Sequence, residues 1–134
     1  MLEIKMSESE QIDVQYDEAI AKYKSGDIDA AIELLRQLLA KSPNYSLAHN
    51  ALGVMYNRIG KNDQAIEHAK RVCEIEPDDT FGYTILSSLC MKNGRREEAE
   101  DALMQARERM IAARLQAMQA LQNKESNDKE SSES

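Results

Sequence analysis

Gly26, Gly60 and Gly94 recur at a spacing of 34 residues. A fixed period of that length marks a chain built from stacked supersecondary units rather than one irregular core. Other columns keep the same step: Ala31, Ala65 and Ala99 follow each glycine by five residues, Ala19, Gly53 and Ser87 precede it by seven, and Pro43 and Pro77 close the first two units. Each column has a physical role. A glycine between two amphipathic runs supplies the left-handed residue that ends one helix and lets the chain reverse. The small residues on either side let two antiparallel helices approach closely. The prolines, lacking an N–H and fixed in φ, stop the second helix of a unit.

Composition agrees with a helical chain. The 134 residues are 42% hydrophobic and 31% charged, with only 2 Pro and 5 Gly, and are rich in Ala, Leu, Glu, Gln and Lys, the better helix formers. This length supports one folded domain with tails. The formal net charge of −7 opposes non-specific binding to nucleic acid or anionic lipid. No stretch approaches the roughly 20 apolar residues of a membrane span, and the acidic N-terminus lacks the apolar core of a secretory signal. A cytoplasmic protein is expected, with no nucleic-acid partner and no membrane insertion. Cys73 and Cys90 have neither CxxC spacing nor clustered His partners, so small buried thiols are expected, with no metal site and no disulfide framework.

The segment from Leu47 to Asp79 resembles a tetratricopeptide repeat from end to end: Leu52-Gly53, Tyr56, Gly60, Ala65-Ile66, Val72 and Pro77 occupy the family's large, small, aromatic, glycine, small and proline positions. Stepping by 34 residues in both directions extends the resemblance to about three quarters of the chain. It implies an all-α fold, a right-handed superhelical solenoid of three antiparallel helix pairs with an extended C-terminal helix. The repeats fall at 12–45, 46–79 and 80–113, with helices near 12–25, 28–41, 46–59, 62–75, 80–93 and 96–121. Repeat one departs from the pattern, with Glu18 and Lys22 where repeat two has Leu52 and Tyr56, which suggests a rotated first helix. In repeat three Ile111 replaces the terminating proline, so the last helix is free to continue.

The resemblance also implies a function. In this family the first helix of each pair lines a concave groove that holds a partner segment. By position, the groove residues are Tyr16, Ile20, Tyr23 and Lys24 in repeat one, Asn50, Val54, Asn57 and Arg58 in repeat two, and Thr84, Ser88, Met91 and Lys92 in repeat three. Lys24, Arg58 and Lys92 form a basic row two residues before each glycine. Two readings stand for it: recognition of an acidic or C-terminal carboxylate ligand, or favourable placement at helix C-termini. Asn50 and Asn57, seven apart, share a helix face and suit hydrogen bonding to an extended main chain. Tyr16, Ile20 and Tyr23 are either groove or core. Some members clamp the acidic C-termini of heat-shock chaperones with Lys and Asn side chains; the matching positions here hold Tyr16, Ile20, Ala51, Phe81 and Ile85, so that specific function is rejected. The expected activity is protein binding as an adaptor or assembly scaffold. A small chaperone of the three-repeat secretion type is the alternative, and a homo-oligomer built through the C-terminal helix is a third reading.

Beyond repeat three the apolar periodicity continues. Ala99, Leu103, Ala106, Met110, Ala113, Ala117 and Leu121 form one face of a continuous helix, and Ile111, Leu115 and Met118 form a second stripe. Residues 114–122 are therefore expected either to cap the last repeat or to meet a second copy or a partner through Met110, Ile111, Leu115, Met118 and Leu121. Residues 123–134 are polar and Ser-rich and are expected to be disordered. Residues 1–11 are expected to form a flexible segment, although Leu2, Ile4 and Met6 alternate.

No phosphate-binding glycine loop, nucleophile elbow or HExxH is present. His49 and His68 are expected to be structural or solvated, and no nucleophile, base and orienter assemble. The chain is thus expected to be no enzyme and to need no cofactor.

Overall fold

The computed structural model describes residues 5–133, in which six helices follow one another: α1 (Glu8–Lys24), α2 (Ile28–Lys41), α3 (Ser46–Arg58), α4 (Asn62–Ile75), α5 (Thr80–Lys92) and α6 (Arg96–Glu133). No strand occurs among the described residues. The helices pair as α1 with α2, α3 with α4, and α5 with α6. The chain divides into two compact units, Met1–Glu76 and Pro77–Ser134, the first holding two helix pairs and the second one. Leu2 and Ile4, two of the three residues of the alternating N-terminal pattern, lie outside the described residues; Met6 is exposed.

The period-34 glycines do what the repeat requires. Gly26, Gly60 and Gly94 have φ of +93°, +80° and +73°, where a Cβ would be strained. The same two bonds form at each: Gly26 N–H donates to Tyr23 O and Asp27 N–H to Lys22 O, as do Gly60 to Asn57 and Lys61 to Tyr56, and Gly94 to Met91 and Arg95 to Cys90. This six-to-one plus glycine closure satisfies carbonyls that the helix end leaves free. Pro43 and Pro77 follow Ser42 and Glu76, the C-caps of α2 and α4.

The core of the first unit is built on helix spacing. Ala31, Leu35 and Leu38 of α2, Ala48 and Leu52 of α3, and Ala65 of α4 are fully buried. Each large aliphatic side chain removed from water in this way contributes about 1.5–3 kcal/mol. α3 packs on α2 as well as on α4, and Leu52 and Tyr56 line a cleft with Arg36, Leu39 and Ala40 of α2. This explains repeat one. Positions 52 and 56 face the second helix of the preceding repeat, and no described helix lies before α1, so Glu18 and Lys22 are exposed. The expected rotation of the first helix is absent: Ala19 is fully buried, as Gly53 and Ser87 at the equivalent positions are buried.

Three end-segment expectations are corrected. α1 begins at Glu8 rather than Ile12, because the Ser7 side chain accepts from Glu10 N–H at 3.2 Å in an S-x-x-E start, so part of the segment expected to be flexible is helix. α6 runs to Glu133, through residues 123–133 that were expected to be disordered. Nothing in Arg96–Glu133 breaks a helix, since neither Gly nor Pro occurs there, and Glu125 precedes Lys129 by four, the favourable order for an i,i+4 pair. The third correction concerns capping. Ala99, Ala102 and Ala106 are buried, but every residue from Arg107 to Ser132 is exposed, so residues 114–122 form no covering cap among the described residues. Length explains it: α6 has 38 residues and its partner α5 has 13. Arg109 already reaches Asp78, ahead of α5, at 3.3 Å, and the rest of α6 has run past the end of its neighbour.

Candidate functional site

The first unit presents the first-helix faces of repeats one and two. On α1, Tyr16, Ile20 and Tyr23 are half-buried and Lys24 is exposed; on α3, Asn50 and Asn57 are half-buried, while Val54 is 51% exposed and Arg58 is exposed. Tyr16, Ile20 and Tyr23 are thus neither closed core nor free groove.

Arg58 and Tyr23 are brought together. The Arg58 guanidinium donates to the Tyr23 hydroxyl and lies 5.4 Å from the centre of the Tyr23 ring, a cation–π placement that links the first helices of two successive repeats. Lys24, Arg58 and Lys92 are each the last residue of their helix, where a cation meets the negative end of the macrodipole. The basic row therefore has a local structural cause, and one member is already engaged.

Tyr16 is engaged as well. Its ring centre is 5.8 Å from that of Tyr45, whose hydroxyl donates to Asp13 Oδ1 at 2.8 Å. Tyr45 is the N-cap of α3, so the contact ties the turn between repeats to α1. Burial, then the hydrogen bond to Asp13 and its charge, push the Tyr45 phenol up to about 12. Burial, then the Asp17 carboxylate, raise that of Tyr16.

In the second unit, Thr84, Ser88, Met91 and Lys92 are all exposed on α5. Thr84 Oγ1 donates to Thr80 O within the helix at 3.2 Å, and Met91 is 51% exposed. Two residues belong with these faces that the expected set of twelve groove residues omits. Leu47 and Phe81 are 51% and 67% exposed and lie three residues before Asn50 and Thr84, hence on the same helix faces. The readable signal was their 34-residue separation.

The two histidines form an interior pair. His49, 8% exposed, places Nε2 2.8 Å from Pro43 O and Nδ1 3.0 Å from His68 Nδ1. The Tyr56 ring stacks on His68 with centres 5.6 Å apart and planes at 16°. A carbonyl only accepts, so His49 carries its proton on Nε2 and receives one from His68 Nδ1–H. Burial and then His49 lower the pKa of His68, with Arg36 adding to the shift and Glu67 opposing it. The pair joins the start of α3 to α4 and is a structural clasp. Among the described residues, no group of three or more His, Cys, Asp or Glu side chains is placed to hold a metal ion. Cys73 and Cys90 are buried. No described helix is long and apolar enough to cross a membrane.

Comparison with known proteins gives this geometry a context. Models of the tetratricopeptide repeat match residues 16–80 and 82–108. The STIP1 homolog of Dictyostelium discoideum is 28% identical over 96 residues, which are 71% of this chain and 17% of that protein. The chain thus spans less than a fifth of the length of that relative. The crystal structure of MamA is similar with a TM-score of 0.69 and 25% identity, over 76% of this chain and 60% of that one. The type III secretion translocator chaperone SycD of Yersinia enterocolitica is similar with a TM-score of 0.66 and 20% identity, over 82% of this chain and 88% of that one. Matching repeat models, three glycine-closed helix pairs and the shared fold agree: this chain belongs to the tetratricopeptide repeat family.

Proposed function

We propose that this chain is an adaptor or assembly module that binds a segment of a partner protein along the faces of its first helices and performs no covalent chemistry. The repeat fold supports a protein-interaction role, and one observation carries the placement. From α2 to α5 the large apolar side chains left exposed within helices are Leu47, Val54, Phe81 and Met91, and all four belong to first helices; α2 and α4 have none. Recurrent exposed apolar groups on one class of surface mark an interaction site. Asn50 and Asn57 flank Val54 on α3 and supply donors and acceptors for a main chain. The ligand that suits this face is an extended or helical segment with apolar side chains.

The test is affinity capture of the full chain in its native host with mass spectrometry, comparing wild type with a Leu47→Asp, Val54→Asp, Met91→Asp variant of unchanged circular dichroism. Loss of a prominent partner from the variant supports the reading; an unchanged set of partners rules it out. A secretion-type chaperone is the second reading, favoured by similarity to SycD over most of both chains. It requires that the captured partner be unstable when made alone. A cytoplasmic setting suits either reading.

A further inference from the structure

Within the first unit, α2 and α4 flank a cleft of about 520 Å³ whose floor is α3. Leu52 and Tyr56 form that floor and are 0% and 8% exposed. Two residues along a helix turn it by about 200°, so Val54, midway between them in sequence, points the other way. The cleft therefore opens on a different side of α3 from the first-helix face.

The walls are cationic where the chain as a whole is acidic. Leu39 continues the apolar floor up the α2 side, while Arg36 from α2 and Lys61 and Gln64 from α4 add charged and amide donors. No Asp or Glu lines the cleft, in a chain with 24 acidic against 17 basic residues. Glu67, whose charge reaches His68, stands outside the lining. Of the three arginines in the first unit, Arg58 is engaged by Tyr23, and Arg71 by Glu74 and Asn44 at 2.9 and 2.8 Å. Arg36 has no hydrogen bond or ion pair among the described residues, since Glu33, one turn before it on α2, accepts from Gln37 at 3.4 Å instead. The Lys61 ammonium has none either. Two like charges brought to one cleft without a counter-charge are stabilised by an anion between them.

The shape of the cleft says how that anion arrives. Arg36, Ala40, Lys61 and Gln64 are exposed, so the cleft is open to solvent and does not enclose a free small molecule as a ligand pocket does. A side chain carried in on a polypeptide needs no such enclosure. A carboxylate meets Arg36 and Lys61 as a charge-assisted acceptor, and an apolar neighbour on the same segment meets Leu39 and Ala40.

We infer that the α2–α4 cleft binds an Asp or Glu side chain with an apolar neighbour, on a segment of a partner protein, through Arg36 and Lys61. This site is separate from the first-helix faces and stands or falls apart from them.

The test is nuclear magnetic resonance of the full isotope-labelled chain titrated with acetyl-Leu-Glu-Leu-amide, with acetyl-Leu-Gln-Leu-amide as the uncharged match. Titration to about 20 mM covers the millimolar affinity of so small a contact. Saturable shifts are expected at the Arg36 Nε–H and the Gln64 side-chain amide with the Glu peptide and not with the Gln peptide. Raising salt from about 20 to about 300 mM weakens this binding, because the charges meet at an open rim. Arg36→Gln with Lys61→Gln alters two exposed side chains, leaves circular dichroism unchanged and weakens binding by about three- to ten-fold, as loss of two exposed charge pairs would. Absence of any saturable shift, shifts confined to Asn57 and Arg58, equal shifts from both peptides, or full binding by the Arg36/Lys61 variant would each overturn the inference.

Discussion

His49 Nδ1 lies 3.0 Å from His68 Nδ1, while His49 Nε2 is held 2.8 Å from the Pro43 carbonyl. The four atoms need one proton in each of the two contacts and no pair of donors facing each other. One added proton can be accommodated by shifting hydrogens along the pair; a second sets N–H against N–H. The folded state lowers the His68 pKa below its ordinary 6.5, so the unfolded chain binds the proton more readily. The contribution to stability is then present above about pH 6.5 and lost as pH falls through the depressed folded value. Urea unfolding should show a lower midpoint at pH 5 than at pH 7.5. His68→Phe, which keeps the stack on Tyr56, should flatten that slope.

Tyr45 sets the opposite limit. Its phenol titrates near 12 in the folded chain against an ordinary 10, so the folded state holds the proton more tightly. The associated stability is present below pH 10 and lost as pH rises through about 12. Tyr45→Phe should remove the component of the alkaline absorbance titration that ionises near pH 12. At neutral pH it should cost about 0.5–1.5 kcal/mol for the lost bond to Asp13.

Leu52 and Val54 are two residues apart on α3 and answer different questions. Leu52 is fully buried and Val54 is 51% exposed. Leu52→Ala should cost about 2–5 kcal/mol through lost burial and the cavity left behind. Val54→Ala should change stability by no more than about 0.5 kcal/mol while weakening partner capture. Chemical denaturation of both variants checks the first pair of values.

Along α6 the amides should fall into two classes under hydrogen exchange. Those near Ala99, Ala102 and Ala106, whose side chains are buried, should open only with the unit. Those from Ser126 to Ser132, on a turn sequence with no buried side chain, should exchange by local fraying. Protection at Ser126–Ser132 equal to that at Ala102 would contradict the exposure of this segment.

The period of 34 and its glycines determine the helix pairs without any structure. α2 and α4 run Ile28–Lys41 and Asn62–Ile75, the ranges expected from sequence, because a left-handed glycine and a following proline are local constraints that fix where a helix stops. The twelve first-helix positions taken from the family resemblance likewise fall on α1, α3 and α5. Tertiary structure decided what those positions do. Arg58 reads as a free cation in sequence and is spent on Tyr23. Glu18 and Lys22 read as a register change and prove to be solvated places where a preceding repeat would sit. The His49–His68 clasp joins residues 19 apart with no motif to announce it. Composition alone favoured disorder beyond residue 122, since low hydrophobicity reports what cannot be buried, whereas helix persistence depends on propensity and on attachment to a helix already nucleated by packing. Local backbone chemistry is written in the residues themselves, but exposure and pairing depend on which neighbours the chain brings near, and one-dimensional spacing does not carry that.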